Sequence, residues 1–228
     1  MRTEPLDLVV ADDNPVLVSV LSEIFRECGY SVRSASDGFS ALAEIRKKIP
    51  DILVSDLCMP GMSGYELLSV VRRRFPSIRV IAMSGAYSGG NTPEAIAADA
   101  FYAKGASSVA QLIQMVSTVR ELEGQSPRPP APIWISEVTA DGNGAAVLFV
   151  SCPECLRPFI HRPPHLDQLP VEGSCPHCMT MVELALVRHS YGTDGTPITI
   201  SSSKRAACSA TNRVKRIDGT PTGRMHQQ

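Results

Sequence analysis

Asp51-Ile52-Leu53-Val54-Ser55-Asp56 decides the fold of this chain: a short apolar run that ends on a carboxylate, followed by the turn-forming Met59-Pro60-Gly61. The same grammar recurs on either side of it. Leu6-Asp7-Leu8-Val9-Val10 leads into Ala11-Asp12-Asp13, Ile78-Arg79-Val80-Ile81-Ala82-Met83 leads into Ser84, and a weaker Ala100-Phe101-Tyr102-Ala103 leads into Lys104. Continuous apolar runs, rather than alternating ones, mark parallel strands buried on both faces. The segments between the runs carry helical spacing. Val16, Val20, Leu21, Ile24 and Phe25 share one face within residues 16–28, and Gly29 follows as a stop. Asp37 precedes a second helix with Leu42 and Ile45 on one face and Lys47-Lys48 in its last turn, where cations suit the helix dipole. Gly64-Tyr65-Glu66 opens a third, ended by Pro76, and Ser107-Ser108 precede an amphipathic final helix from Val109. Between Gly85 and Asp99 the pattern is weak: Gly89-Gly90-Asn91 reads as a loop before a short helix over residues 95–100. Strand and helix thus alternate five times, which predicts an α/β fold with a doubly wound parallel sheet.

In an open sheet of this kind the strand C-termini meet at one crevice. Asp12, Asp13, Asp56, Ser84 and Lys104 each fall at such an end. Singly, Asp12 or Asp13 would serve as a helix N-cap ahead of Pro15, Asp56 as the start of a turn, and Lys104 as a solvated lysine. Jointly they form three carboxylates, a hydroxyl and an ammonium, a set suited to a hard divalent cation and a phosphoryl group.

These residues carry a family resemblance. Residues 6–122 resemble the receiver domain of two-component response regulators, through Asp12-Asp13, the stretch Asp56-Leu57-Cys58-Met59-Pro60-Gly61-Met62-Ser63-Gly64, Ser84-Gly85 and Lys104. The resemblance implies a flavodoxin-like five-stranded parallel sheet over residues 5–122. It implies Asp56 as phosphoacceptor for a sensor histidine kinase or phosphotransfer protein. Mg²⁺ would be held by Asp12, Asp13, Asp56 and the main-chain carbonyl of Cys58. Lys104 and Ser84 would engage the phosphoryl oxygens, and Phe101 would be the switch aromatic on the face made by the family's fourth helix, fifth strand and fifth helix. Strand alternation puts its neighbour Tyr102 on the opposite side. The domain implied is a phosphoacceptor that only assists its own phosphorylation and dephosphorylation, not an enzyme in its own right. One departure stands out: Gly105 follows the lysine, where many receivers have Pro.

The second half has its own signal. A Pro-rich linker at 123–133 precedes Cys152-Pro153-Glu154-Cys155, and nineteen residues later comes Cys175-Pro176-His177-Cys178. Two Cys-x-x-Cys knuckles at this separation read as a four-thiolate Zn²⁺ site. Residues 147–151, 157–161 and 181–187 look like short strands, so 134–190 resembles a small β zinc ribbon with Phe159 buried. So few residues make a small core, and metal binding would supply folding free energy. A redox-dithiol alternative lacks the thioredoxin-like context. His161, His165 and His177 are not needed once four thiolates complete a tetrahedron.

The net charge is −1, but it is uneven. From residue 188 onward seven Lys and Arg face only Asp194 and Asp218, in a stretch rich in Ser, Thr and Gly, so 191–228 reads as a basic disordered tail. No segment is apolar and long enough for a signal or membrane span, and four of the seven cysteines are accounted for as ligands, so a cytoplasmic, membrane-free protein is expected. Two outputs are open. The favoured one is a protein-protein interaction of the ribbon with an output protein. The other is a transcriptional regulator whose ribbon and tail bind nucleic acid, although the ribbon has few basic residues, Arg157 and Arg162. A phosphorylation-dependent homodimer is compatible with either.

Overall fold

β3 (Ile52–Asp56) forms the middle of a five-stranded parallel sheet with β1 (Asp7–Ala11), β2 (Ser31–Ala35), β4 (Arg79–Ser84) and β5 (Ala100–Ala103), in the order β2-β1-β3-β4-β5. The computed structural model describes residues 5–85, 96–121, 132–136, 138–163, 170–187, 190–191 and 197–198. This strand order is that of the flavodoxin-like doubly wound fold. Alternation along the strands divides the core between the two faces. Leu8, Val10, Ile52, Val54, Ile81, Met83 and Tyr102 pack with α1 (Pro15–Glu27) and α4 (Val109–Glu121), while Val9, Ala11, Leu53, Val80, Ala82 and Phe101 pack with α2 (Gly38–Lys47) and α3 (Gly64–Arg74).

The helix starts have local causes. The Asn14 side chain accepts from Val16 N–H and Leu17 N–H with Pro15 in the first turn, so Asn14 rather than an aspartate caps α1. Asp37 and Ser40 form a reciprocal capping box on α2, and Ser63 caps α3.

The short helix expected over residues 95–100 is not formed by its described part. Ile96, Ala97 and Ala98 are non-helical, and Ala100 begins β5. The cause lies in Asp99. Its N–H donates to Val80 O (2.8 Å), its carboxylate accepts from Val80 N–H (2.7 Å) and pairs with Arg72 (2.6 Å), which draws this segment along the sheet. Residues 86–95 lie outside the described residues, and so does the family's fourth helix in so far as it falls there.

Beyond the first domain, β6 (Ile133–Ile135) runs parallel to β11 (Met181–Leu186), which pairs antiparallel with β10 (Val171–Ser174). A second small sheet joins β7 (Thr139–Ala140), β8 (Ala146–Ser151) and β9 (Pro158–His161). Ile133, expected as the last linker residue, is instead the first residue of β6: it is fully buried and opposite Leu184. Phe159 is buried as expected. Otherwise the linker and the basic tail fall almost wholly outside the described residues; where the tail is described it is not disordered as expected, since Ser190–Tyr191 pairs antiparallel with Pro197–Ile198.

The two halves share one core. Ile133, Ile135, Leu148, Val150, Phe159, Val182 and Leu184 belong to the same apolar cluster as Leu67, Leu68, Val70 and Val71 of α3. Residues 64–71 of α3 are buried without a break, because the sheet covers one side of the helix and the second half covers the other. The expectation of a small unit that must supply its own core is corrected accordingly. Among the described residues no helix is long and apolar enough to cross a membrane.

Candidate functional site

β1, β3, β4 and β5 end at one edge of the sheet, and their last residues converge there. Asp12 follows β1 and is almost fully buried, Asp13 beside it is exposed, and Asp56 closes β3, 4% exposed. One carboxylate oxygen from each of the three lies within 4.8 Å of the others. The ligand oxygens of an octahedral Mg²⁺, at about 2.1 Å from the ion, lie about 3.0–4.2 Å apart, so this donor set fits a small hard cation. Lys104, just past β5, reaches back so that its Nζ stands 2.6 Å from Asp12 Oδ2 and 2.7 Å from Asp56 Oδ1. The Lys104 N–H donates to Ser84 O (2.8 Å), which ties the ends of β4 and β5 together.

Burial pushes the Asp56 carboxyl up, and Asp12 adds to that rise; Lys104 and the Cys58 N–H, 3.0 Å from Oδ2, oppose it without cancelling it. Burial works against the Lys104 charge, but Asp56 and Asp12 outweigh it and the ammonium is held above its usual range. One ammonium faces three acidic groups, which leaves negative charge for a cation to balance.

The main chain beside Asp56 is tightly fixed. Gly61 turns at φ +73°, and Gly64 N–H donates to Leu57 O (3.0 Å). A Cβ on Gly64 would stand 1.9 Å from Asp56 O, so only glycine lets α3 begin this close to the strand end. Gly105 adopts φ +81°, a conformation that proline, with its fixed negative φ, cannot take. The departure from the usual lysine-proline pair therefore matches a different local backbone.

Ser84 is buried at the end of β4, and Phe101 is buried on the α2/α3 side of the sheet. Tyr102 lies on the opposite side, its hydroxyl donating to Ser107 O (3.0 Å).

A second cluster occupies the other half. Cys152, Cys155, Cys175 and Cys178 are free, and their sulfurs all lie within 4.8 Å of one another. Two pairs stand across the knuckles: Cys152 to Cys178 at 3.6 Å and Cys155 to Cys175 at 3.7 Å. A tetrahedron with metal–sulfur bonds of about 2.3 Å has edges of about 3.8 Å, whereas a disulfide needs about 2.05 Å.

The two knuckles repeat each other's backbone. Leu156 N–H donates to Cys152 O and Met179 N–H to Cys175 O, and Leu156 and Met179 both take positive φ, 56° and 62°. Non-glycine residues in that region cost about 1–3 kcal/mol each and persist where the surroundings hold them. Hydrogen bonding to the Thr180 hydroxyl and main-chain N–H pulls the Cys178 thiol down to about 6, whereas burial pushes Cys152 up to about 12. His177 Nε2 is 3.1 Å from Pro158 O, and neither His161 nor His177 joins the sulfur cluster; His165 lies outside the described residues.

Residues 8–116 match the family model of the response regulator receiver domain, within the segment that builds the five-stranded sheet and the carboxylate site. These residues are a response regulator receiver domain. Receiver domains are phosphoacceptor signalling domains rather than enzymes. The probable transcriptional regulatory protein TcrX of Mycobacterium tuberculosis is 36% identical over 81 residues, which are 36% of this chain and 35% of that protein. The nitrogen assimilation regulatory protein NtrX of Azorhizobium caulinodans is 35% identical over 94 residues, 40% of this chain and 20% of that protein. The chain thus spans between 20% and 35% of the length of these relatives. Among solved structures, the response regulator TrrA of Thermotoga maritima, in complex with Mg²⁺ and BeF, is 27% identical with a TM-score of 0.46, covering 50% of this chain and 98% of that one.

Sequence reasoning named the residues of both clusters. It missed Glu66, Ser69 and Trp134, which join the receiver to the second half. Trp134 N–H donates to Ser69 Oγ (3.4 Å), and Ser151 N–H donates to the buried Glu66 Oε1 (2.7 Å). Nothing in the local pattern marks a bond across 85 positions of chain.

Proposed function

We propose that this protein is a two-component response regulator that accepts a phosphoryl group on Asp56 from a histidine kinase or phosphotransfer protein. Receiver domains take part in exchanges of this kind, and the observation that carries the reading here is Lys104 Nζ set between Asp12 and Asp56, with Asp13 completing three carboxylates. Bound Mg²⁺, held by Asp12, Asp13, Asp56 and the Cys58 carbonyl, would neutralise charge on the nucleophile and the phosphoryl oxygens.

The remaining steps belong to the chain itself. An Asp56 carboxylate oxygen forms the new P–O bond while the donor's P–N bond breaks, and the electron pair stays on the imidazole nitrogen. Lys104 moves from its carboxylate partners to the arriving phosphoryl oxygens, Ser84 donates a hydrogen bond to them, and Phe101 follows Ser84 as the switch aromatic. Residues 5–122 form the receiver, 123–133 link it onward with Ile133 already in β6, 134–190 make a zinc ribbon on Cys152, Cys155, Cys175 and Cys178, and 191–228 form a basic tail. The protein works in the cytoplasm.

The favoured output is a protein partner of the ribbon. Phe149 and Ile160, cross-strand neighbours on β8 and β9, are about half exposed, as is Met181, and Met179 is more so. The paired Phe149 and Ile160 give the ribbon an exposed apolar face for such a partner. A nucleic-acid output is the second reading, favoured by relatives named as transcriptional regulatory proteins. Salt-dependent affinity for duplex DNA that vanishes on deletion of residues 188–228 would establish it.

The test of the main reading is labelling with a small phosphodonor and Mg²⁺. The wild-type protein gains one acid-stable, base-labile phosphoryl group, and Asp56→Asn gains none. A label retained by the variant means another acceptor.

A further inference from the structure

The second half is not hung from the receiver by a linker alone; it is built onto α3. Glu66, 3% exposed, points from the first turn of α3 to the Ser151 N–H, and Ser151 directly precedes Cys152, the first thiol of the sulfur cluster. Ser69 accepts from Trp134 N–H, Arg73 pairs with Glu154 (3.7 Å) inside the first knuckle, and Met62 Sδ lies 3.7 Å from Ser151 Oγ. In the same first turn, α3 begins against β3, where Gly64 touches the Asp56 main chain. One helix turn therefore carries both the contact with the Asp56 main chain and the contact with the residue that precedes Cys152. A charge-assisted bond between buried groups is strong when made and costly when broken.

We propose that the cysteine cluster is a second input to the receiver: Zn²⁺ occupancy of the four thiols is transmitted through Ser151, Glu66 and α3 to residues 57–63, and raises the affinity of the Asp56 site for phosphoryl and Mg²⁺. The proposal rests on the reading of both sites given above. With the metal bound, the first knuckle holds Ser151 N–H on Glu66 and α3 stays pressed against Asp56. With the thiols empty, Glu66 loses a fixed donor and the start of α3 is released. Coupling is reciprocal, so phosphoryl binding at Asp56 must tighten Zn²⁺ by the same factor.

The test uses the full chain, loaded with Zn²⁺ or stripped of it by a chelator under reducing conditions. Calorimetric titration with beryllofluoride and Mg²⁺ should show affinity at least about 5-fold higher with zinc bound. Zinc affinity, measured by competition with a chromophoric chelator, should rise by the same factor when beryllofluoride and Mg²⁺ are present. Emission of Trp134, the only tryptophan of the chain, should shift on beryllofluoride binding. Glu66→Gln keeps an acceptor but loses its charge, and Glu66→Ala loses both. The zinc-dependent ratio should fall in that order while both variants still bind zinc, a pattern that a mere loss of stability does not give. Equal beryllofluoride affinity with and without zinc overturns the proposal and leaves both sites intact. Failure to bind zinc, or failure to bind beryllofluoride at all, overturns it at its premise and identifies which site was misread.

Discussion

Gly64→Ala places a methyl group where the structure has no room for one. The added Cβ would stand 1.9 Å from Asp56 O, 2.7 Å from Leu57 Cα and 2.8 Å from Asp56 C, against an ordinary contact of 3.4 Å or more. All three neighbours are main-chain atoms, so no side chain can swing away, and the start of α3 and the acceptor peptide must separate by roughly 1.5 Å, the shortfall from ordinary contact. Overpacking of this kind costs about 1–3 kcal/mol. The small gain in helix propensity over glycine offsets less than about 1 kcal/mol of it. The larger effect falls on chemistry, because a displacement of about 1 Å at a reacting group costs on the order of 100-fold in rate. Phosphorylation by a small phosphodonor, followed on a phosphate-affinity gel, should therefore slow by at least about 10-fold, with a lowered melting temperature. Gly142→Ala is the control: its Cβ would meet nothing within 4 Å, and it should leave both readouts unchanged. Wild-type rate and melting temperature in Gly64→Ala would refute the claim that this contact positions the acceptor.

Removing Lys104 with Lys104→Met strands Asp12 and Asp56 without their counter-charge; melts in chelator should show a loss of about 2–3 kcal/mol, discounted for partial exposure of the lysine, and Mg²⁺ should restore most of it. An unchanged melt in chelator would mean that the lysine does not balance the carboxylates. Gly105→Ala forces a Cβ onto a residue at φ +81° and should cost about 1–2 kcal/mol in chemical denaturation even though the site is sterically open. Cys152→Ser should abolish the proposed zinc binding and also lower the melting temperature of the receiver, because residues of the second half share a core with α3; a receiver transition that stays in place would contradict that shared packing.

Much of the receiver could be read from its sequence because its signals are local. Leu8–Val10, Ile52–Val54 and Val80–Met83 are apolar runs whose burial on both faces forces a parallel sheet, and the polar residues ending them had nowhere to go but one edge. The Cys spacing likewise fixed which four sulfurs meet. Asn14 takes the cap that Asp12 or Asp13 would have supplied on the reading set aside, since its side chain stands one residue before Pro15 and the first helical N–H groups. The short helix near residue 96 failed because Asp99 bonds to Val80 and Arg72, partners far away in sequence. The dock of the second half on α3 was invisible for the same reason. Ser151 to Glu66 and Trp134 to Ser69 have no periodicity, and the unbroken burial of residues 64–71 reads along the chain as an ordinary amphipathic helix with a few extra apolar positions.

The most direct measurement is the position of the phosphoryl group itself. The full chain is incubated with a small phosphodonor and Mg²⁺, the acyl phosphate is trapped by borohydride reduction, and the digest is read by tandem mass spectrometry. A single reduced residue is expected at Asp56, dependent on Mg²⁺ and absent from Asp56→Asn. Trapping at any other aspartate, or equal trapping in the presence of excess chelator, would contradict it.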